Sequence, residues 1–271
     1  MKLIGQFTIS CLIVFVCIGL LPVVGYSAPE WEDVLFYYPM NEGDGGIAKQ
    51  HPKSPNHFVA KLENGPKWVT DDIPDTQGNK AALEFVIAEE QGLTIFDHPA
   101  LDLGTGDVTL EAWAKTEIGD ENHKMIITTW GENGSGYYLK ISQGLLLTRY
   151  NDINRVGPEV KSVTNVADGK WHHMASTRQN RTEVKIYIDG KLDVETNEGA
   201  GPGAVDPDAN FYIGWQINRP TRFFEGRIDE ARIWSRALTA EEIQEAMSGA
   251  ILSVESAGKV PLSWGRIKSS Y

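Results

Sequence analysis

The sequence predicts an all-β protein: a two-sheet antiparallel β-sandwich with one short helix near the C-terminal end of the domain. Three observations predict it. Apolar residues recur with a period of two in many short runs, 27 glycines and 13 prolines punctuate the chain, and one segment stands out for its helix-capping residues. A period of two is that of a strand whose successive side chains point to opposite faces, so such runs imply sheets with one face buried against another.

Strands are predicted at 34–38, 58–62, 82–86, 92–95, 108–116, 125–130, 137–142, 145–150, 171–178, 183–189, 191–196, 211–214 and 224–234. In the fifth of these, Val108, Leu110, Ala112 and Ala114 share one face, and Thr109, Glu111, Trp113 and Lys115 share the other. Val184, Ile186 and Ile188 likewise oppose Glu183, Lys185 and Tyr187. Asp189-Gly190 between two runs is a two-residue hairpin signal, because both turn positions need positive φ. Gln143-Gly144 and Asp168-Gly169 mark further turns, and 197–208 reads as a loop.

The single helix begins at Thr239, with Glu242 three residues on completing a capping box. Leu238 and Ile243 stand in hydrophobic-staple register, and Gly249 supplies a left-handed stop. One sandwich is therefore expected over 29–250, followed by a tail at 251–271. Ahead of it, Lys2, the apolar run 11–21, Pro22 and the small residues Gly25, Ser27 and Ala28 read as a secretory signal peptide at 1–28. The rival is an uncleaved anchor; Pro22 and the lack of a basic stop-transfer flank count against it.

Composition excludes several chemistries. Both cysteines, Cys11 and Cys17, lie in the signal peptide, so the mature chain has no disulfide, thiol nucleophile or thiolate metal site. Loss of Lys2 moves the net charge from −12 to −13. An acidic chain without a basic cluster is a poor nucleic-acid binder, and it tolerates divalent cations.

Six segments in order carry a family resemblance. They are Tyr38-Pro-Met-Asn-Glu-Gly-Asp-Gly45, Ala82-Leu-Glu-Phe85, Val108-Thr-Leu-Glu-Ala-Trp-Ala-Lys115, Gly169-Lys-Trp-His-His-Met-Ala175, Val184-Lys-Ile-Tyr-Ile-Asp-Gly190 and Phe224-Glu-Gly-Arg-Ile-Asp-Glu-Ala-Arg-Ile-Trp-Ser-Arg-Ala-Leu238. Together they resemble the laminin-G-like jelly roll of the concanavalin A-like lectin/glucanase superfamily, as found in secreted bacterial proteins. The resemblance implies jelly-roll order for the two sheets. It leaves function open among carbohydrate-binding modules, adhesion domains, glycosidases and lyases.

Retaining glucanases of this fold need two carboxylates about 5 Å apart on one sheet face, supplied by a Glu-x-Asp-x-x-Glu strand. No such strand occurs here, nor a lyase signature. His172 and His173, as strand neighbours, point to opposite sides and are expected to pack rather than to ligate together. The inward phase set by Phe224 and Ile228 slips before Ala231 and Ile233, which places a β-bulge at Asp229-Glu230. A bulge can aim a carboxylate at the sheet rim. The resemblance implies structural Ca²⁺ as a cofactor, with Asp229, Glu42 and Asp44 as the candidate metal ligands. Ion pairing of the bulge acids with Arg227 or Arg232 is the competing role. Where relatives usually carry an acid after the first strand, this chain has Gln50-His-Pro-Lys-Ser54.

Trp130, Tyr150, Tyr212 and Trp215 are the candidates for stacking on sugar rings, with core filling as the competing role for each. The function expected is that of a secreted or periplasmic non-catalytic module recognising extracellular or cell-surface carbohydrate, with calcium assisting. The first alternative is a protein-interaction or adhesion domain with a cell-surface protein as partner. The second is a divergent glycoside hydrolase or polysaccharide lyase. Neither nucleic acid nor, after loss of the signal peptide, a membrane span is expected.

Overall fold

The computed structural model describes residues 29–216, 219 and 221–250. The expected signal peptide at 1–28 and tail at 251–271 lie outside the described residues. In chain order the strands are β1 (Val34–Tyr38), β2 (Ile47–Lys49), β3 (Val59–Glu63), β4 (Lys67–Val69), β5 (Ala82–Phe85), β6 (Gly92–Ile95), β7 (Val108–Lys115) and β8 (Lys124–Trp130). There follow β9 (Gly136–Ser142), β10 (Leu145–Asn151), β11 (Glu159–Asn165), β12 (Trp171–Gln179), β13 (Glu183–Ile188), β14 (Lys191–Thr196), β15 (Phe211–Ile213), β16 (Gly226–Trp234) and the helix α1 (Ala240–Met247).

They form two antiparallel sheets. Sheet A runs β14-β13-β12-β7-β16-β5-β4, with β1 also on β16, and sheet B runs β11-β10-β9-β8-β15-β6-β3-β2. The predicted fold class is the observed one. The predicted hairpins form as the turn residues dictate: Asp189 and Gly190 have φ of 51° and 72° between the paired Ile188 and Lys191. Gln143-Gly144 does the same between Ser142 and Leu145. Three strands escape the periodicity, β2 and β4 because three residues are too few to show a period, and β11 because it is an edge strand with a largely exposed sequence.

The sandwich core lies between the sheets. Val108, Leu110, Ala112 and Ala114 of β7 pack there with Ile228, Ala231 and Ile233 of β16 and with Ile127, Leu139 and Leu146 from sheet B. Each Val, Leu or Ile among them removed from water contributes about 1.5–3 kcal/mol. The phase slip in β16 is a bulge: Asp229 pairs with Trp113, but Arg232 pairs with Glu111, so one extra residue is inserted, and Glu230 takes φ of 53°. The bulge also marks a change of partner, since Gly226–Ile228 pair with β5 whereas Ala231–Trp234 pair with β1.

The other face of sheet A is closed by α1. Thr239 Oγ1 accepts from the Glu242 amide, Glu242 Oε2 accepts from the Thr239 amide, and Leu238 and Ile243 are both buried. Gly249 ends the element with φ of 75°. The polar face of β7 is thus not solvated, as its alternation implied. Glu111 is fully buried under α1, and Trp113 Nε1 donates to the Met247 carbonyl. No helix among the described residues is long and apolar enough to cross a membrane.

Candidate functional site

Among the described residues the outer face of sheet B has no such helical cover. On β9, Tyr137, Leu139 and Ile141 face the core, so Tyr138 and Lys140 face outward; on β10 the inward Leu146 and Tyr150 leave Arg149 outward. Trp130, the last residue of β8, lies beside them, half-buried, its ring centroid 5.9 Å from that of Tyr138. Gly136 makes this possible: a Cβ there would come within 3 Å of Trp130. The Arg149 guanidinium sits 5.4 Å from the Trp130 ring centroid, a cation–π distance.

Three adjoining depressions of about 410, 290 and 560 Å³ meet at Trp130 and Arg219. Arg149 and Arg155 line the first, and His123, Tyr138, Lys140, Glu159 and Arg222 the second. Asp97, Asp208, Asn210 and Tyr212 line the third. The polar groups are fixed in place. Arg149 Nε donates to the Gly157 carbonyl at 2.6 Å and Nη2 to Asn151 Oδ1 at 3.1 Å. Arg222 Nη1 donates to Gln216 Oε1 at 2.6 Å. The loop after Trp130 is held by Asn133, whose Oδ1 accepts from the Ser135 amide and whose Nδ2 donates to the Asp206 carbonyl.

Glu159 is the acid of the second depression. Burial alone would raise it, but Lys140 Nζ at 2.6 Å and the donating Tyr138 hydroxyl at 2.5 Å outweigh burial and keep it below the ordinary range. Burial, with the like charges of Arg222 and Arg149, outweighs the raising effect of Glu159 and leaves Lys140 below its ordinary value. Beyond this face, burial followed by the charge of Asp206 pushes the Asp102 carboxyl up to about 6. Asp102 lines none of the three depressions.

Of the four expected stacking aromatics, the structure leaves one available. Trp130 is that residue. Tyr150 is fully buried in the sandwich core, its hydroxyl bonded to the Ser176 carbonyl at 3.0 Å, because it shares the inward parity of Leu146. Tyr212 and Trp215 are each 8% exposed and pack edge-to-face at 5.8 Å, with Phe223 against Trp215. Trp215 occupies the space a side chain on Gly92 would fill, 2.2 Å from a Cβ built there, and its Nε1 donates to the Leu93 carbonyl. These two seal the outer face of sheet B rather than present a platform, although an edge of Tyr212 reaches the third depression.

The expected metal ligands are not brought together. Asp229 is fully buried, not at a rim, because the bulge sits mid-sheet with β7 on one side and β5 and β1 on the other. Its Oδ2 accepts from Asn79 Nδ2 at 2.7 Å and its Oδ1 from the Glu230 amide at 2.9 Å. Glu42 Oε1 accepts from the Lys49 amide, and Asp44 is exposed in a glycine-flanked turn. Among the described residues no three His, Cys, Asp or Glu side chains gather at metal-binding spacing. The competing ion pair is present: Glu230 bonds Arg232. His172 and His173 do part to opposite faces, His172 between Asp168 and Asp189 and His173 beside buried Glu111.

Sequence reasoning missed Tyr138, Lys140, Arg149, Arg155, Arg219 and Arg222. The parity of β9 and β10, read strictly, assigns Tyr138, Lys140 and Arg149 to the outer face. The three others sit in loops, where no periodicity exists to read.

Comparison with known proteins places this geometry in context. A family model described as the concanavalin A-like lectin/glucanases superfamily, of laminin-G type, matches residues 89–244. The pentraxin-related protein PTX3 of Mus musculus is 26% identical over 62% of this chain and 45% of its own length. Human usherin is 25% identical over 76% of the chain but only 4% of its own length. Among solved structures, the binding domain of Paraclostridial Mosquitocidal Protein 1 superposes with a TM-score of 0.64 at 15% identity, covering 80% of this chain and 52% of that one. The botulinum neurotoxin serotype D ligand binding domain, solved in complex with N-acetylneuraminic acid, superposes with a TM-score of 0.57 at 16% identity, covering 81% and 52%. The chain thus spans about half of those binding domains and less than half of the curated relatives. At such identities the structural likeness shows the fold.

Proposed function

The chain belongs to the concanavalin A-like lectin/glucanase superfamily, and from that premise we propose that it is a secreted or periplasmic, non-catalytic module that recognises extracellular or cell-surface carbohydrate. The recognition face is the outer surface of sheet B centred on Trp130. One observation carries the reading: a half-buried tryptophan stands where three polar depressions meet, with hydrogen-bonding side chains fixed around it. Sugar sites combine these parts, a flat aromatic face for the C–H face of a pyranose and oriented polar groups for its hydroxyls. Structural neighbours described as binding domains, one holding a sugar acid, support the reading.

Glycan-array binding by the wild type and by Trp130→Ala tests it. We expect Trp130→Ala to lose about tenfold or more in affinity, the loss of roughly 1.4 kcal/mol that one stacked ring supplies, with an unchanged melting temperature. Trp215→Ala, by contrast, lowers the melting temperature because it empties a packed site above Gly92. Glycan binding that survives Trp130→Ala would overturn the site, and absence of any glycan ligand would overturn the function.

A further inference from the structure

The chain carries 37 acidic and 25 basic residues, yet Arg149, Arg155, Arg219 and Arg222 collect around Trp130 with Lys140. Elsewhere the arginines of β16 and its exit are neutralised: Arg227 by Glu84 and Asp72, Arg232 by Glu111 and Glu230, Arg236 by Asp33 and Glu242. Even the depression of about 330 Å³ beside Lys115 and Arg227 has both cations paired to acids. Around Trp130 only Lys140 has such a partner, Glu159. Among the described residues none of the four arginines has a carboxylate within ion-pair distance.

Three of the four are held instead by neutral acceptors. The Gly157 carbonyl and Asn151 hold Arg149, the Asn133 carbonyl holds Arg155, and Gln216 holds Arg222. A neutral acceptor orients a guanidinium without cancelling its charge, and it leaves the remaining N–H donors of the fork open. The charges also oppose one another. Burial first, then the neighbouring Arg219, holds Arg222 below its ordinary value, and burial with Lys140 and Arg222 does the same to His123. Like charges gathered at one spot cost stability, and an entering anion relieves that cost.

We propose that this face takes an acidic sugar: a pyranose bearing a carboxylate or a sulfate ester, its ring on Trp130 and its anionic group held by Arg149, Arg219 and Arg222. The inference rests on the carbohydrate reading of the same face and adds the chemical class. Guanidinium forks match the paired oxygens of either anion. Arg155, exposed at the margin of the first depression, extends the site toward a second acidic residue of an oligomer.

Calorimetry on the protein with matched probes tests it: sialyllactose against lactose, polygalacturonate against its carboxyl-reduced form, and dextran sulfate against dextran. The acidic member of at least one pair is expected to bind about tenfold or more tighter than its neutral partner and to weaken as salt rises. Arg219→Gln and Arg149→Gln should each lower that affinity several-fold, with melting temperatures kept. Which pair responds separates carboxylate from sulfate. Equal binding of acidic and neutral partners, still lost in Trp130→Ala, overturns the acidic class and leaves the carbohydrate reading intact. Binding of dextran sulfate that survives Trp130→Ala is polyanion adsorption and also overturns the proposal. No binding to any of the six probes, with a neutral glycan captured on the array instead, overturns it too; no glycan anywhere overturns both readings.

Discussion

Glu230 and Arg232, two residues apart across the bulge of β16, are ion-paired in the buried layer between sheet A and α1. Arg232 meets several acceptors there. Its Nη1 donates to Glu111 Oε1 at 3.0 Å and to the Ala246 carbonyl at 2.8 Å, its Nη2 reaches the Tyr37 hydroxyl at 3.2 Å, and its guanidinium lies 4.3 Å from the Tyr37 ring centroid. Trp234 Nε1 and the Tyr37 hydroxyl donate to the two acids, at 3.1 and 2.8 Å. The last of the six segments that carry the family resemblance thus joins sheet to helix.

Removing Arg232 strands two carboxylates, Glu111 and Glu230, in an apolar layer. Breaking a buried pair by deleting one partner costs about 3–5 kcal/mol, far more than the pair's net contribution. We expect Arg232→Ala to lose that much in urea unfolding and to fray α1 first, seen as proteolysis at 240–250. The double variant Arg232→Met with Glu230→Gln should recover part of the loss, because it removes a stranded charge together with its partner. A single variant as stable as wild type would show that the layer is hydrated.

His172 gives the fold a pH dependence of definite sign. Its Nδ1 faces Asp189 Oδ2 at 2.9 Å and its Nε2 faces Asp168 Oδ1 at 3.1 Å, so the imidazolium can donate to two carboxylates. Hydrogen bonding to Asp189, then to Asp168 against the opposing effect of burial, raises the ring above its ordinary value. A raised histidine contributes stability that is fully present below about pH 6.5 and is lost as pH rises through the folded-state value. Melting temperatures of the wild type should therefore fall from about pH 6.5 toward pH 9 more steeply than those of His172→Gln. Parallel curves would mean that His172 does not titrate in this clamp.

How far the sequence was legible depended on whether the information was local. The hairpin at Asp189-Gly190, the Thr239–Glu242 cap and the phase slip at Asp229-Glu230 are all decided within a few residues, and all three are present. Glu111 was not legible, because what covers it arrives about 130 residues later in α1 and Arg232. The candidate site was half legible. Trp130 stands out by type, but Tyr150 was misassigned by residue type when the parity of β10 assigned it inward and Arg149 outward. Arg219 and Arg222 reach Trp130 only through the turn that follows β15, which no spacing in the chain announces.

Asp229 provides the test of calcium. Calcium needs six to eight oxygen ligands with open lone pairs, and charged carboxylates among them. Both Asp229 oxygens already accept hydrogen bonds, and burial followed by the charge of Glu230 pushes the carboxyl well above its ordinary value. A carboxyl raised in this way favours its neutral form in the folded state, so its contribution to stability is present at low pH and declines as pH rises above the unfolded value near 3.9. An amide mimics that neutral form. We expect Asp229→Asn to stay within about 1 kcal/mol of the wild type at neutral pH, because its oxygen can still accept from the Glu230 amide. Asp229→Ala loses both acceptors and opens a void, and should cost about 2–3 kcal/mol. A chelator should leave all three proteins unchanged in calorimetry. A melting temperature that falls with chelator in the wild type but not in Asp229→Asn would instead make Asp229 a metal ligand, and the buried bonds to Asn79 and Glu230 would then have to open to admit the ion.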